Sequence, residues 1–202
     1  MSAAIRAASA RVPHGTIAYR EAGPTDGMPV VLVHGFPDDA RTWDALAQAL
    51  AADGRRAIAP FVRGYGATVL DPGVARSGEI AALARDVLAL ADALQLERFD
   101  VVGHDWGARA AYAAAVLAPE RIRSLCTLAV PYGTGHSGDR LAFAQIRSYW
   151  YQWYFATPLG QVELEDHRAA FCRELWRVWS PGWEPAPGEY EATAASFENP
   201  DF

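Results

Sequence analysis

The 202-residue sequence predicts an α/β domain with a mainly parallel sheet and helices on both faces. Short apolar runs, PVVLV at 29–33 and FDVV at 99–102, are typical of strands buried on both faces. Segments with apolar residues at helical spacing follow such runs, at 40–52, 77–94 and 106–118. This alternation indicates parallel strands joined by crossover helices, whose functional loops lie at the carboxyl ends of the strands.

Six strands are expected in the first part of the chain. One precedes residue 15, and the others are predicted over 15–22, 29–33, 56–61, 99–102 and 122–130. Cys126 lies within the last of these apolar runs, and we expect it in the core as a small apolar residue.

The pattern changes after Pro131, where aromatic residues become frequent and no further strand is expected. Helical segments are predicted over 140–155, 161–179 and 187–197, separated by Gly/Pro breaks. The sequence therefore predicts two parts, a core over 1–132 and a helical part over 133–202.

Composition narrows the classes of partner. The chain has 18 basic and 24 acidic residues and a net charge of −6, which argues against nucleic acid as a partner. No apolar run is long enough to cross a bilayer, so no membrane partner is expected. No His/Cys/Asp cluster has the spacing of metal ligands, and no cofactor is expected. The N-terminus lacks the apolar stretch of a secretory signal, so we expect a cytoplasmic protein.

The strongest chemical signal is GHDWG at residues 103–107, between a predicted strand and a predicted helix. Glycines at both ends of G-x-x-x-G permit a sharp strand-to-helix turn that exposes the central residue, here Asp105. A carboxylate is already an anion and can displace a leaving group at an sp³ carbon, giving an alkyl-enzyme ester. An Asp that only caps the following helix is the alternative interpretation.

A second motif, HGFP at residues 34–37, directly follows the strand PVVLV. Its glycine allows close backbone approach, and the backbone N–H of Phe36 can point into a site. Together with the N–H of Trp106 it would form a two-donor oxyanion hole. We expect His34 to make a structural hydrogen bond rather than to act as a base.

These motifs, with RGYG at 63–66 and the segment YQWYF at 151–155, resemble the α/β-hydrolase superfamily. More narrowly they are similar to its epoxide hydrolase branch, which is related to haloalkane and haloacetate dehalogenases. The resemblance implies an α/β-hydrolase fold, with residues 133–202 as its helical cap. It also implies hydrolysis of an epoxide, and the aromatic residues of the cap suggest a small apolar substrate.

The resemblance assigns roles to individual residues. Asp105 matches the nucleophile, and Phe36 and Trp106 match the oxyanion-hole donors. Tyr151 matches a cap tyrosine that protonates the opening epoxide oxygen, although packing within the cap is an open alternative for it. The remaining residues expected to contact substrate are Pro37, Trp106, Trp153 and Tyr154.

Two other functions stay open. Trp106 also fits the indole donor to halide in dehalogenases, although Phe36 offers no second side-chain donor. A hydrolase fold retained only for ligand binding is the other alternative. A literal G-x-G-x-x-G at residues 133–138 follows the last predicted strand, but no strand ending in an acid follows it, so we interpret it as a hinge.

The family pattern also requires a catalytic His and an acid that orients it, and no position of this sequence matches either. We therefore expect the C-terminal strands and helices of the fold to be missing from this chain. A single alkylation of Asp105 without turnover is the expected behaviour of the chain alone. The expected partner is its own C-terminal segment or another copy, in a split or swapped assembly such as a homodimer.

Overall fold

The computed structural model describes residues 3–133 and 142–202, which form two compact units. Unit 1 comprises Met1–Tyr132 together with Ala195–Phe202, and unit 2 is Gly133–Ala194. The helical part expected over 133–202 therefore differs from the structure at its end. Within unit 1, residues 195–202 pack against the preceding part of the chain through hydrogen bonds and ring contacts that the sequence pattern does not reveal.

Unit 1 contains one seven-stranded sheet with the order β1-β2-β4-β3-β6-β7, and β5 pairs with β2. The strands are β1 (Arg6–Val12), β2 (Gly15–Ala22), β3 (Pro29–Val33), β4 (Arg56–Pro60), β5 (Val69–Leu70), β6 (Phe99–His104) and β7 (Ile122–Leu128). The pairs β3–β4, β3–β6 and β6–β7 are parallel, whereas β1 and β5 join antiparallel to β2 and β2 joins antiparallel to β4. The six predicted strands are present, and the two-residue β5 is too short for a periodic pattern to reveal it.

Helices cover both faces of the sheet. They are a 3₁₀ turn at Ala40–Trp43, then α1 (Asp44–Ala52), α2 (Ile80–Ala93) and α3 (Trp106–Leu117). Alternate residues of β3 show the two faces, because Val31 and Val33 pack with the cluster of α2 and α3. Val30 and Leu32 pack on the other face with Trp43 and Ala47. The wholly apolar run of β3 is thus buried on both sides, as predicted.

Strand β7 lies at one edge of the sheet in the part of the chain that the structure describes. The expectation for Cys126 was wrong, because its side chain is exposed. Leu125 and Leu128 are also exposed, at 37% and 46%. Apolar composition indicated a covered strand, but burial depends on what packs on it, which no local pattern encodes.

Unit 2 is helical and rich in ring contacts. Its helices are α4 (Phe143–Ser148), α5 (Trp150–Phe155), α6 (Pro158–Asp166), α7 (Arg168–Trp179) and α8 (Glu189–Ala195), of which the last continues into unit 1. Rings of α5 and α7 meet in pairs such as Phe155 with Phe171, whose centroids are 4.7 Å apart. None of the helices in the described residues is long and apolar enough to cross a membrane. The predicted hinge motif lies outside the described residues except for Gly133.

Candidate active site

The turn between β6 and α3 holds Asp105 in a conformation that non-glycine residues rarely adopt. Its φ is 54° and its ψ is −116°. The backbone N–H of Asp105 donates to the carbonyl of Leu128 on neighbouring β7, at 3.2 Å, and its carbonyl accepts from Ala108 at 3.0 Å. The turn is thus fixed from the sheet on one side and from the helix on the other. Asp105 does not cap the helix through its side chain, so the capping interpretation is not supported.

Glycines around Asp105 are required by close packing. A Cβ on Gly35 would lie 2.5 Å from the Cβ of Asp105 and 2.7 Å from its Oδ1. A Cβ on Gly107 would overlap the carbonyl oxygen of Val33 at the end of β3. The two loops can approach this closely only because both positions are glycines, which have no side chain.

A hydrogen bond joins the two loops. The backbone N–H of Phe36 donates to Oδ1 of Asp105 at 3.1 Å. Trp106 begins α3, so its N–H belongs to the first helical turn, where N–H groups lack an acceptor within the helix. The Arg109 guanidinium lies over the Trp106 ring, 5.6 Å from its centroid. Pro37 follows Phe36 through a cis peptide bond.

His34 stabilises the HGFP loop through contacts of both its ring nitrogens. It is fully buried, and its Nδ1 lies 3.0 Å from the Gly35 carbonyl while its Nε2 accepts from the Val62 N–H at 3.0 Å. Burial lowers the pKa of His34 below its ordinary value. Both ring nitrogens are occupied, so the expected structural hydrogen bond is present and the imidazole is neutral.

The RGYG loop stands next to His34. Tyr65 meets the His34 ring edge-on at 4.8 Å. Arg63 binds Asp86 of α2 through two hydrogen bonds of 2.6 Å, with only a tenth of either side chain exposed. His14 also lies 2.6 Å from Asp86. This charged cluster anchors the loop to the helix layer.

The remaining predicted site residues lie on α5 in unit 2. Tyr151 is buried, with its ring against Phe155 and Trp179 at 6.2 and 5.4 Å, and its hydroxyl accepts from Gln152 at 3.1 Å. Trp153 is 59% exposed, and Tyr154 is half-buried.

Comparison with known proteins identifies the fold family of this chain. The α/β hydrolase fold family matches residues 28–174, which include the strand β3, both loops around Asp105 and most of unit 2. This chain is a member of the α/β hydrolase fold family. Within 3–133 and 142–202, no group of His, Cys, Asp or Glu is arranged to hold a metal ion.

Two curated relatives are epoxide hydrolases. An "Epoxide hydrolase" from Caballeronia sordidicola is 39% identical over 121 residues, covering 60% of this chain and 36% of the relative. "Epoxide hydrolase B" from Mycobacterium tuberculosis is 36% identical over 155 residues, covering 69% of this chain and 43% of the relative. The matches therefore span less than half the length of these two relatives.

A solved structure gives the same comparison for the fold. A candidate epoxide hydrolase from Klebsiella pneumoniae superposes with a TM-score of 0.90 at 36% identity. The match covers 97% of this chain and 66% of that one. The α/β-hydrolase is thus epoxide hydrolase-like in sequence and in fold.

Sequence reasoning missed the contribution of residues 195–202, which we call the return segment. Asn199 donates from Nδ2 to the carbonyls of Gly66 and Thr68, at 3.0 and 2.5 Å. Asp201 accepts from the Leu70 N–H and from Arg76. An Asn-Pro pair after a helix was a signal for a turn, but nothing in it indicated which loop it would contact.

Proposed function

We propose that the chain carries the nucleophile of an epoxide hydrolase, with Asp105 attacking an epoxide carbon. The single observation behind this proposal is the strained Asp105, whose carboxylate accepts the Phe36 N–H between two loops closed by glycines. A serine there would suit acyl transfer, whereas a carboxylate suits displacement at a saturated carbon. The epoxide hydrolases among the relatives support the same reaction class.

The first step consumes the epoxide. One carboxylate oxygen of Asp105 bonds to a ring carbon, and the bond from that carbon to the epoxide oxygen breaks. The oxygen takes a proton, for which we propose the Tyr151 hydroxyl as donor, because an alkoxide leaving group needs a general acid. The product is a hydroxyalkyl ester of Asp105.

The second step hydrolyses that ester. Water adds to the ester carbonyl, and the oxyanion that develops accepts hydrogen bonds from the N–H groups of Phe36 and Trp106. The ester C–O bond breaks, the alkoxide takes the proton that a base removed from the water, and the diol leaves. The remaining proton of that water returns to the Tyr151 phenolate as the carboxylate re-forms. A base must take the proton of the water. Among the described residues, the imidazoles of His14, His34 and His167 already contact Asp86, the Val62 N–H and Glu163. His104 ends β6, directly before Asp105. We propose that a His outside this chain supplies the base.

Unit 2 is the cap in this proposal. Its α5 would present Tyr151 as the proton donor, with Trp153, Tyr154, Pro37 and Trp106 contacting the substrate. The many rings of unit 2 favour a small apolar substrate.

The partner of unit 1 in this proposal binds at the β7 edge. Leu125 and Leu128 on β7 and Val116 and Leu117 on α3 are exposed by 37–66%. An edge strand with apolar neighbours is a template for another strand. We propose that a C-terminal segment of the same protein, or a second copy, covers it. Purified chain that runs as a monodisperse, soluble 21.9 kDa monomer would contradict this.

Mass spectrometry after exposure to an aryl epoxide tests the reaction. One adduct, mapped to Asp105 by peptide sequencing, is the expected result. The Asp105→Asn variant is the matched control and should gain none, because a neutral amide is a poor nucleophile. Absence of an adduct with every epoxide and alkyl halide tried would leave a hydrolase fold that only binds ligands.

A dehalogenase is the second candidate, favoured by Trp106 directly after the nucleophile. Its half-buried ring is held by the contact with Arg109. The same experiment separates the two functions. An adduct from alkyl halides but not from epoxides would select the dehalogenase.

We also propose a cytoplasmic location. The sequence contains only two cysteines, Cys126 and Cys172. Small proteins of oxidising compartments are often rich in disulfide-paired cysteines, and a low cysteine content suits a reducing compartment. Fractionation of cells expressing the tagged protein would test this location.

A further inference from the structure

The ring of Phe197, in the return segment, stacks on the residue that donates to the nucleophile. Its centroid lies 6.0 Å from that of Phe36, with 22° between the ring planes. Phe197 is fully buried. It is therefore the ring that the return segment places directly against the HGFP loop.

The return segment is itself firmly attached. Besides the hydrogen bonds of Asn199, the Ser196 carbonyl accepts the Gly66 N–H at 2.8 Å, and Asn199 Oδ1 accepts the Asp201 N–H at 2.7 Å. Asn199 and the side chain of Asp201 are each less than a tenth exposed. Buried hydrogen bonds of this kind fix a segment in one register.

Further ring contacts connect Phe197 to Tyr65 of the RGYG loop, and through Tyr65 to His34. Tyr65 meets Phe197 edge-on at 5.6 Å and meets His34 at 4.8 Å. Phe202 also stacks on Phe197, at 4.6 Å, and contacts Tyr65. Phe197 thus links Phe36 to Tyr65 and Phe202 in one set of ring contacts.

We propose that Phe197 is a positioning residue that holds the Phe36 peptide so that its N–H stays on the carboxylate of Asp105. Phe36 lies next to Gly35, where the backbone has no side chain of its own to fix it, so support must come from a neighbour. Phe197 touches neither carboxylate nor substrate in this role. Its consequence for the reaction rests on the proposed function of Asp105.

The test compares Phe197→Leu with Phe202→Leu, since both remove one ring from the same cluster but only the first removes the Phe36 stack. Alkylation of Asp105 by an aryl epoxide, followed by intact mass, should be about tenfold slower in Phe197→Leu. In Phe202→Leu it should stay within about twofold of the original chain. Equal slowing in both variants, or none in Phe197→Leu, would overturn the proposal.

A double-mutant cycle with Phe36→Leu shows whether Phe197 acts through Phe36. Phe36→Leu keeps the backbone N–H but removes the stacked ring. The two substitutions should then be non-additive, with the double variant no slower than Phe197→Leu alone. Additive slowing would mean that Phe197 acts by another route and would reject the proposal.

Hydrogen exchange of the Phe36 amide gives a readout that needs no reaction. Phe197→Leu should exchange this amide about tenfold faster, while the amides of β3 keep their protection. Phe202→Leu should leave the Phe36 amide unchanged. If the original chain forms no adduct, the proposed function fails, yet this exchange difference still decides the positioning role. Unchanged exchange in Phe197→Leu rejects that role even where adducts form.

Discussion

Units 1 and 2 both carry residues of the proposed site, but different forces fix those residues. In unit 1 Asp105 is set by backbone geometry, because its φ is positive and Gly35 approaches so closely that an added Cβ there would overlap its side chain. In unit 2 Tyr151 is set by ring packing against Phe155 and Trp179. The comparison teaches that the nucleophile should tolerate almost no backbone change, whereas the cap tyrosine should tolerate loss of its polar group without losing its place.

Gly35→Ala should have the largest effect, because it adds a methyl group where the backbone geometry is tightest. Its Cβ would lie 2.5 Å from the Cβ of Asp105. We expect alkylation of Asp105 to slow by more than about a hundredfold, and overpacking to lower the free energy of unfolding by about 1–3 kcal/mol. Adduct formation and urea unfolding measure the two effects.

Gly78→Ala is the control for that substitution. No atom lies within 4 Å of a Cβ built at Gly78, and its backbone carries no positive φ. Alkylation and unfolding should both stay close to those of the original chain. If Gly35→Ala behaved like Gly78→Ala, backbone geometry would not be what fixes unit 1.

Tyr151→Phe probes unit 2 by removing a hydroxyl and leaving the ring. The ring contacts with Phe155 and Trp179 remain, so the free energy of unfolding should change by less than about 1 kcal/mol. Alkylation by epoxide should slow by about a hundredfold if the hydroxyl protonates the opening oxygen.

Tyr190→Phe is the matched variant, because Tyr190 also packs its ring within unit 2, 5.1 Å from Trp176. It should alkylate at the original rate. Comparable slowing in both variants would show that the hydroxyls act through the packing of unit 2 rather than through the reaction.

The sequence predicted those features of the fold and the site that depend on local residue patterns. The alternation of β3 and the two glycines of GHDWG predicted the sheet and the turn at Asp105, because burial on two faces and a sharp turn each demand particular residue types. Cys126 was assigned wrongly because the exposure of β7 depends on its neighbours in space. The contact of Phe197 with Phe36 joins positions far apart in the chain, and no periodicity links them.

Asn199→Ala tests whether the return segment belongs to unit 1. Loss of its amide leaves the buried carbonyl of Thr68 and the half-buried carbonyl of Gly66 without that donor, which should lower the free energy of unfolding by about 2–3 kcal/mol. Hydrogen exchange should accelerate around β5 and remain unchanged in α7 of unit 2.

Gln161→Ala removes an exposed amide of α6 and serves as the control. It should leave both the unfolding free energy and the exchange around β5 unaltered. Faster exchange in α7 than around β5 in the Asn199→Ala variant would place the return segment energetically with unit 2 and break the division between the units.

The smallest expected effect is the contribution of His34 to the pH dependence of the free energy of unfolding. Burial lowers the pKa of His34, so the folded chain keeps this imidazole neutral while the unfolded chain binds a proton below a pH of about 6.5. The unfolded state then binds more protons, and stability is full above that pH and is lost as pH falls below it. The slope is at most about 1.4 kcal/mol per pH unit.

Urea unfolding at pH 7.5 and pH 5.5 measures this loss, and His34→Gln isolates the share of His34. Glutamine offers an amide in place of the imidazole but binds no proton in this range. The variant should be less stable at pH 7.5, since the Val62 N–H and Gly35 carbonyl contacts are disturbed, yet should lose less stability on acidification. If the original chain and His34→Gln lost the same stability on acidification, His34 would be protonated in the folded chain at pH 5.5. The imidazole that supports the HGFP loop would then be charged rather than neutral.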